Sequence, residues 1–142
     1  MARTRIEMPQ HFDFCTNIPI RITDINYGGH VGNDAIVSLL HEARMQFLKQ
    51  HGFTEMNFGG VGLIMSDVTI EFKREMFYGD ALMAYITASN FSRSGFDIFY
   101  KLVKNTEEMI VAIAKTGMVC YDYGNKRIVT MPDEARKSLS PG

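Results

Sequence analysis

From Arg21 to Arg44 the chain reads R-I-T-D-I-N-Y-G-G-H-V-G-N-D-A-I-V-S-L-L-H-E-A-R, and this stretch constrains the fold more than any other. A short β-branched run ends at Thr23, a turn follows at Tyr27-Gly28-Gly29-His30, and an amphipathic helix begins near Asn33. Gly52 supplies a natural stop, so the helix is expected from about Asn33 to about His51, with Gly32 or Asn33 as its cap. Ile36, Leu39, Leu40, Ala43, Phe47 and Leu48 recur at three-four spacing and form one apolar stripe, with Arg44, Lys49 and Gln50 mostly off it. Such a stripe must be buried against something. Asp24, Asn26, His30, Asn33 and Asp34 all fall in or beside the turn, a polar density that marks the helix start as the expected place of chemistry.

The only partner for the stripe is a sheet built from the rest of the chain. Residues 1–10, interrupted by Pro9, read as an irregular lead-in. Phe12, Phe14, Thr16, Ile18, Ile20 and Ile22 then alternate as one strand from His11 to Thr23, and Pro19 places it at a sheet edge. Phe53 to Gly62 reads as a loop. Alternating runs follow at Val68–Phe72, Leu82–Ala88, Phe96–Leu102 and Met109–Tyr123, separated by turns at Gly79-Asp80, Ser94-Gly95 and Asn105–Glu108. A short strand at Arg127–Thr130 and a helical turn at Pro132–Leu139 complete the order. We therefore expect one α+β domain over residues 1–142, a curved and mainly antiparallel sheet of five to six strands wrapped on one long helix. The long edges of such a sheet favour pairing with a second copy, so a homodimer is expected and a homotetramer is compatible.

A net charge of -1 with interspersed signs leaves no electrostatic footprint for nucleic acid. No run approaches the ~18 apolar residues of a membrane span and the first residues lack an apolar leader core, which points to a cytoplasmic location. Cys15 and Cys120 stand in strand-like context rather than at metal-ligand spacing, and both are expected as reduced, buried thiols. No metal is called for.

The block D-I-N-Y-G-G-H-V-G-N-D followed by L-L-H-E-A-R resembles the pattern D-x-D-x-x-G-H-V-N-N and E-E-A-R of the 4-hydroxybenzoyl-CoA thioesterase family of hotdog-fold proteins. Downstream, V-T-I-E-F-K-R-E-M-F-Y-G-D is similar to that family's strand and turn, with Met76 where proline often stands. The likeness spans roughly Arg21 to Pro132. It implies a hotdog fold, a dimer with its helices side by side, acyl-CoA bound between protomers and thioester hydrolysis. Coenzyme A enters only as part of the substrate, and no separate cofactor is implied. Two positions depart from the pattern: Asn26 stands where many members carry the catalytic Asp, and Gly32 replaces an Asn while Asn33 is kept. Asn cannot act as a general base, so the usual mechanism does not transfer unchanged.

Hydrolysis needs a polarised carbonyl, an activated water and an acyl slot. Backbone N–H groups around His30, Val31, Gly32 and Asn33 offer an oxyanion site, and Gly28, Gly29 and Gly32 permit close approach. Asp34 is the first choice of base because it is nearest that site, and related hotdog enzymes place a carboxylate on this helix. Its alternative reading is a first-turn acid satisfying free N–H groups. Asp24 and Glu42 are the other candidate carboxylates, and Asp24 has the competing reading of a turn brace. His30 and Asn26 are candidate positioning groups. Ser66 and Asp67 are placed in the acyl slot, and Lys73 and Arg74, with Lys101 and Lys104, are strand cations available to phosphates. Two other classes fit the same residues: a non-catalytic acyl-CoA or acyl-carrier-protein binding module, suggested by Asn26, and a hydratase or dehydratase using His30 with Asp34.

Overall fold

In a computed structural model that describes residues 5–104 and 109–140, the order is β1 (Phe14–Pro19), a 3-10 turn (Ile22–Asp24), α1 (Asn33–Gln50), β2 (Gly62–Phe72), β3 (Ala81–Ser89), β4 (Gly95–Lys104), β5 (Met109–Asp122), β6 (Arg127–Ile128) and α2 (Asp133–Leu139). The turn expected at Asn105–Glu108 lies outside the described residues. All pairings are antiparallel, in the order β1-β3-β4-β5-β2, with β6 added at the end of β5. This is the α+β arrangement that the periodicities require. Pro19 does sit on an edge strand, because β1 has β3 as its one neighbour.

The first strand is shorter than its alternation suggests. Ile22 is not in a strand but in the 3-10 turn, where it is 67% exposed. Proline cannot extend the ladder, and Asp24 then reaches back to accept the N–H of Arg21 at 2.8 Å, which bends the chain away from the sheet. At its other end β2 starts six residues before the run at Val68, with a bulge between Met65 and Asp67 that resets the register on β5.

Helix α1 lies against β1 and β3. Ile36, Leu39, Leu40, Ala43, Phe47 and Leu48 are all buried, facing the Leu82, Ala84, Ile86, Ala88 row of β3 and the Phe96, Ile98, Tyr100, Leu102 row of β4. At ~1.5–3 kcal/mol for each large apolar side chain removed from water, this stripe is the main favourable term that holds the helix on the sheet. It leaves β2 uncovered. Val68, Ile70 and Phe72 pair with Thr116, Ala114 and Ala112 and so share the helix-facing side, yet Val68 and Phe72 remain exposed to solvent.

Arg44 is buried, contrary to the expectation that it lies off the stripe. Its Nε donates to Glu55 at 3.2 Å and its Nη1 to the Tyr100 hydroxyl at 3.2 Å, and that hydroxyl lies 2.7 Å from Thr116 Oγ1. Burial pushes the Tyr100 hydroxyl above its usual pKa, so it stays a neutral donor. Glu55 also meets His41 Nε2 at 2.8 Å. The loop after the helix is thereby clipped back onto α1, and Phe53 and Phe58 from that loop enter the core.

The two cysteines differ from the expectation of a buried pair: Cys120 is buried, with its thiol pushed up to about 11 by desolvation, but Cys15 is exposed on the outward side of the edge strand. Arg44→Ala should cost about 3 kcal/mol in urea unfolding, because it removes the buried guanidinium that joins Glu55 to the Tyr100 hydroxyl. Lys49→Ala, on the exposed face of the same helix, should change stability by no more than ~0.5 kcal/mol.

Candidate active site at the start of the helix

The turn that joins β1 to α1 is held by its own backbone. Asn26 N–H donates to the His30 carbonyl at 2.9 Å, Gly29 N–H to the Asn26 carbonyl at 3.1 Å, and Gly28 N–H to Asn26 Oδ1 at 2.9 Å. Gly29 takes φ +80, a left-handed conformation that a side chain would strain. Val31 N–H donates to the Met76 carbonyl at 2.7 Å, which ties the turn to the segment after β2.

Asp24 is buried, and its carboxylate is occupied by the Arg21 N–H and guanidinium, while its carbonyl accepts Gly32 N–H at 3.1 Å. It braces the turn and does not face an open site. Of the oxyanion donors expected from His30 to Asn33, two are already engaged. Val31 and Gly32 N–H groups already have partners, whereas Gly32 is an N-cap without a side-chain hydrogen bond. The amides of His30, Asn33 and Asp34 have no partner among the described residues, and those of Asn33 and Asp34, in the first turn of α1, can meet an incoming oxygen.

Around these amides the structure gathers Asn26, His30 and Asp34. A Cβ at Gly32 would lie 2.5 Å from Asp34 Oδ1 and 3.7 Å from Asn26 Nδ2, so the carboxylate and the amide flank one point, and a side chain there would displace the carboxylate. A Cβ at Gly28 would lie 3.1 Å from His30 Nε2 and 3.3 Å from Asn26 Oδ1. Asp34 is exposed, as a group that exchanges protons with water must be. Asn26 spends its carbonyl oxygen on Gly28 and keeps its NH₂ for another acceptor. His30 Nδ1 is 3.3 Å from the Val31 carbonyl and Nε2 is 3.6 Å from Glu75. Both contacts are to acceptor oxygens, so whichever ring nitrogen carries a proton donates there.

Beside this cluster is a cavity of about 270 Å³ lined by His30, Val31, Asn33, Lys73 and Arg74, together with Ile36, Phe72, Glu75 and Met76. Lys73 and Arg74 lie just past the end of β2, not within a strand as expected, since β2 ends at Phe72. Ile36, Phe72 and Glu75 were missed in the sequence, although Glu75 adjoins the Lys73-Arg74 pair. Phe77 packs its ring edge-to-face on His30, 6.3 Å between centroids. Ser66 and Asp67 do not join this site within one chain. They lie roughly 20 Å along β2 from Phe72, where Ser66 Oγ donates to the Gly117 carbonyl at 3.1 Å and Asp67 accepts Gly117 N–H at 3.2 Å. Their polar groups serve the bulge. Lys104 is paired with Asp80 at 3.4 Å and lies 5.3 Å from the centroid of the Phe77 ring. No group of three or more potential metal ligands occurs among the described residues.

Comparison with known proteins places this cleft in a family, since residues 20–139 match the model of the thioesterase-like superfamily. The chain belongs to that superfamily. It is similar to the 1,4-dihydroxy-2-naphthoyl-CoA hydrolase of Microcystis aeruginosa, 28% identical over 123 residues that cover 84% of this chain and 88% of that protein. Among solved structures it resembles a 1,4-dihydroxy-2-naphthoyl-CoA thioesterase from Synechocystis, with TM-score 0.81, 20% identity and coverage of 89% and 94% of the two chains. A hypothetical protein from Aquifex aeolicus superposes with TM-score 0.81 at 26% identity, covering 89% and 99%. The hotdog fold follows from these likenesses, and the helix-start cleft lies within the matched residues.

Asp24→Ala should destabilise the fold by about 2 kcal/mol in chemical denaturation, because it releases the Arg21 N–H and unlocks the turn. Ser66→Ala should cost less than ~1 kcal/mol by the same measurement, since Oγ adds one partly solvated bond to an already paired strand.

Proposed function

We propose that this member of the superfamily hydrolyses the thioester of an acyl-CoA to the free acid and CoA thiol. The observation that carries the reading is the Asp34 carboxylate folded against Gly32 in the same helix-start turn as the open Asn33 and Asp34 amides, next to a cavity that His30, Asn33, Phe72, Lys73 and Arg74 line. Asp34 takes the proton of a water as its oxygen attacks the carbonyl carbon. The two amides hold the resulting oxyanion, and its collapse breaks the C–S bond as the proton held by Asp34 passes to the departing sulfur, giving the thiol and the free carboxylate base. Asn26 Nδ2 and His30 position the water and the thioester oxygen. An aromatic acyl group is the first candidate for the slot, supported by the Phe72 and Phe77 rings and by the names of the related hydrolases.

The working unit in this reading is a dimer joined through β2. That strand is a sheet edge, and Met65, Val68 and Phe72 on it are exposed apolar residues that a second copy would cover. Antiparallel pairing carries the Ser66 end of one β2 toward the Phe72 end of the other, a route by which Ser66 and Asp67 reach the acyl slot.

Free-thiol release from short, medium, long and aromatic acyl-CoA substrates tests the activity. Asp34→Asn should lower kcat by at least ~100-fold with the fold intact by circular dichroism. Turnover that survives this change removes Asp34 from the mechanism. Thermal stabilisation by acyl-CoA without thiol release would mark a binding module instead. Val68→Lys should shift the protein from dimer to monomer in sedimentation equilibrium, and a wild type that is already monomeric would refute the β2 pairing.

A further inference from the structure

Between β2 and β3 the chain passes through Glu75-Met76-Phe77-Tyr78-Gly79-Asp80, and this short loop makes three separate contacts to the helix-start turn. Glu75 Oε1 lies 3.6 Å from His30 Nε2, the Met76 carbonyl accepts the Val31 N–H at 2.7 Å, and the Phe77 ring meets the His30 ring at 85° with 6.3 Å between centroids. With the Val31 carbonyl 3.3 Å from Nδ1, the imidazole is contacted at both nitrogens and by one aromatic ring. The seat of His30 is therefore no better fixed than the loop. Met76 is buried and pins the middle of it, but Phe77 is 41% exposed, too open for apolar packing alone to hold its ring in place.

Polar contacts hold it instead. Phe77 N–H donates to Asp80 Oδ2 at 2.8 Å, Asp80 N–H returns to the Phe77 carbonyl at 3.0 Å, and Gly79 takes φ +93 to let the turn close. The same Asp80 oxygen lies 3.4 Å from Nζ of Lys104, the last residue of β4, and that ammonium stands 5.3 Å from the centroid of the Phe77 ring. The Lys104 side chain is 14% exposed and that of Asp80 28%, so solvent and salt screen the pair less than a surface pair. One lysine thus reaches both the carboxylate that closes the turn and the ring that the turn presents to His30. We infer that Asp80 and Lys104 are positioning residues, a clamp that ties the loop to β4 and sets His30 through Phe77 without touching substrate. The role given to His30 rests on the hydrolase reading.

The test measures hydrolysis of one acyl-CoA by Lys104→Met, which keeps the apolar stem beside Phe77, and by Asp80→Asn, whose Oδ1 can still accept the Phe77 N–H. Each should lower kcat about tenfold with KM unchanged. The two together should do no more than either alone, and Lys104→Arg should restore the rate. In a His30→Gln background Lys104→Met should have no further effect on kcat, a dependence that a general loss of stability would not produce. A raised KM with kcat intact would make Lys104 a substrate contact and overturn the clamp, as would equal losses with and without His30. Proton NMR gives a reading independent of activity: the His30 ring signals, identified by their absence in His30→Gln, should shift in both variants as the Phe77 ring current moves away. Signals that shift while the wild type hydrolyses no acyl-CoA support the clamp and sink the hydrolase reading alone. Signals that stay in place overturn the clamp even where hydrolysis is measured.

Discussion

Everything in this chain depends on one apolar stripe, that of α1, being removed from water by the sheet. Six side chains from Ile36 to Leu48 join the inward rows of β3 and β4 in one buried core. Because the helix is fixed along its length, its first turn is fixed too. The Gly28–Gly32 turn then has one place to be, at the end of the sheet beside the segment after β2, where the Val31–Met76 bond closes it. Site geometry is thus inherited from core packing.

Polar burial refines this arrangement at some cost. Arg44 of α1 meets Tyr100 and Thr116 of the sheet with their hydrogen-bonding groups matched, and Glu55 completes the set from the following loop. A buried ion pair adds little net stability over an apolar substitute. Its contribution here is to register: it sets which residue of the loop returns to which turn of the helix, and it brings Phe53 and Phe58 into the core behind it.

Polar residues crowd the turn because two tasks share it. Asp24 and the carbonyl side of Asn26 are consumed in shaping the backbone, whereas Asp34, His30 and the Asn26 amide group remain outward. A carboxylate on the helix in place of one in the loop requires room, and Gly32 provides it.

By itself the sequence determined the elements. Period-2 and three-four spacings depend on local geometry, so the helix from Asn33, the edge position of β1, the later strands and the turn at the helix start were all legible. The family pattern carried the fold and the reaction class by likeness. Local patterns could not show which polar groups were already engaged. Asp24, Asn33 and Asp34 look alike as turn residues, and only the folded chain closes Asp24 onto Arg21 while leaving the Asn33 and Asp34 amides open. Arg44 looked like a surface charge because its partners, Glu55 and Tyr100, are 11 and 56 residues away. For the same reason the sequence could not show that Ser66 and Asp67 engage Gly117 at a bulge of β2, or that Lys104 pairs with Asp80. Periodicity decides which side of an element a residue occupies, but hydrogen bonds and ion pairs between distant segments form only when tertiary packing brings those segments together.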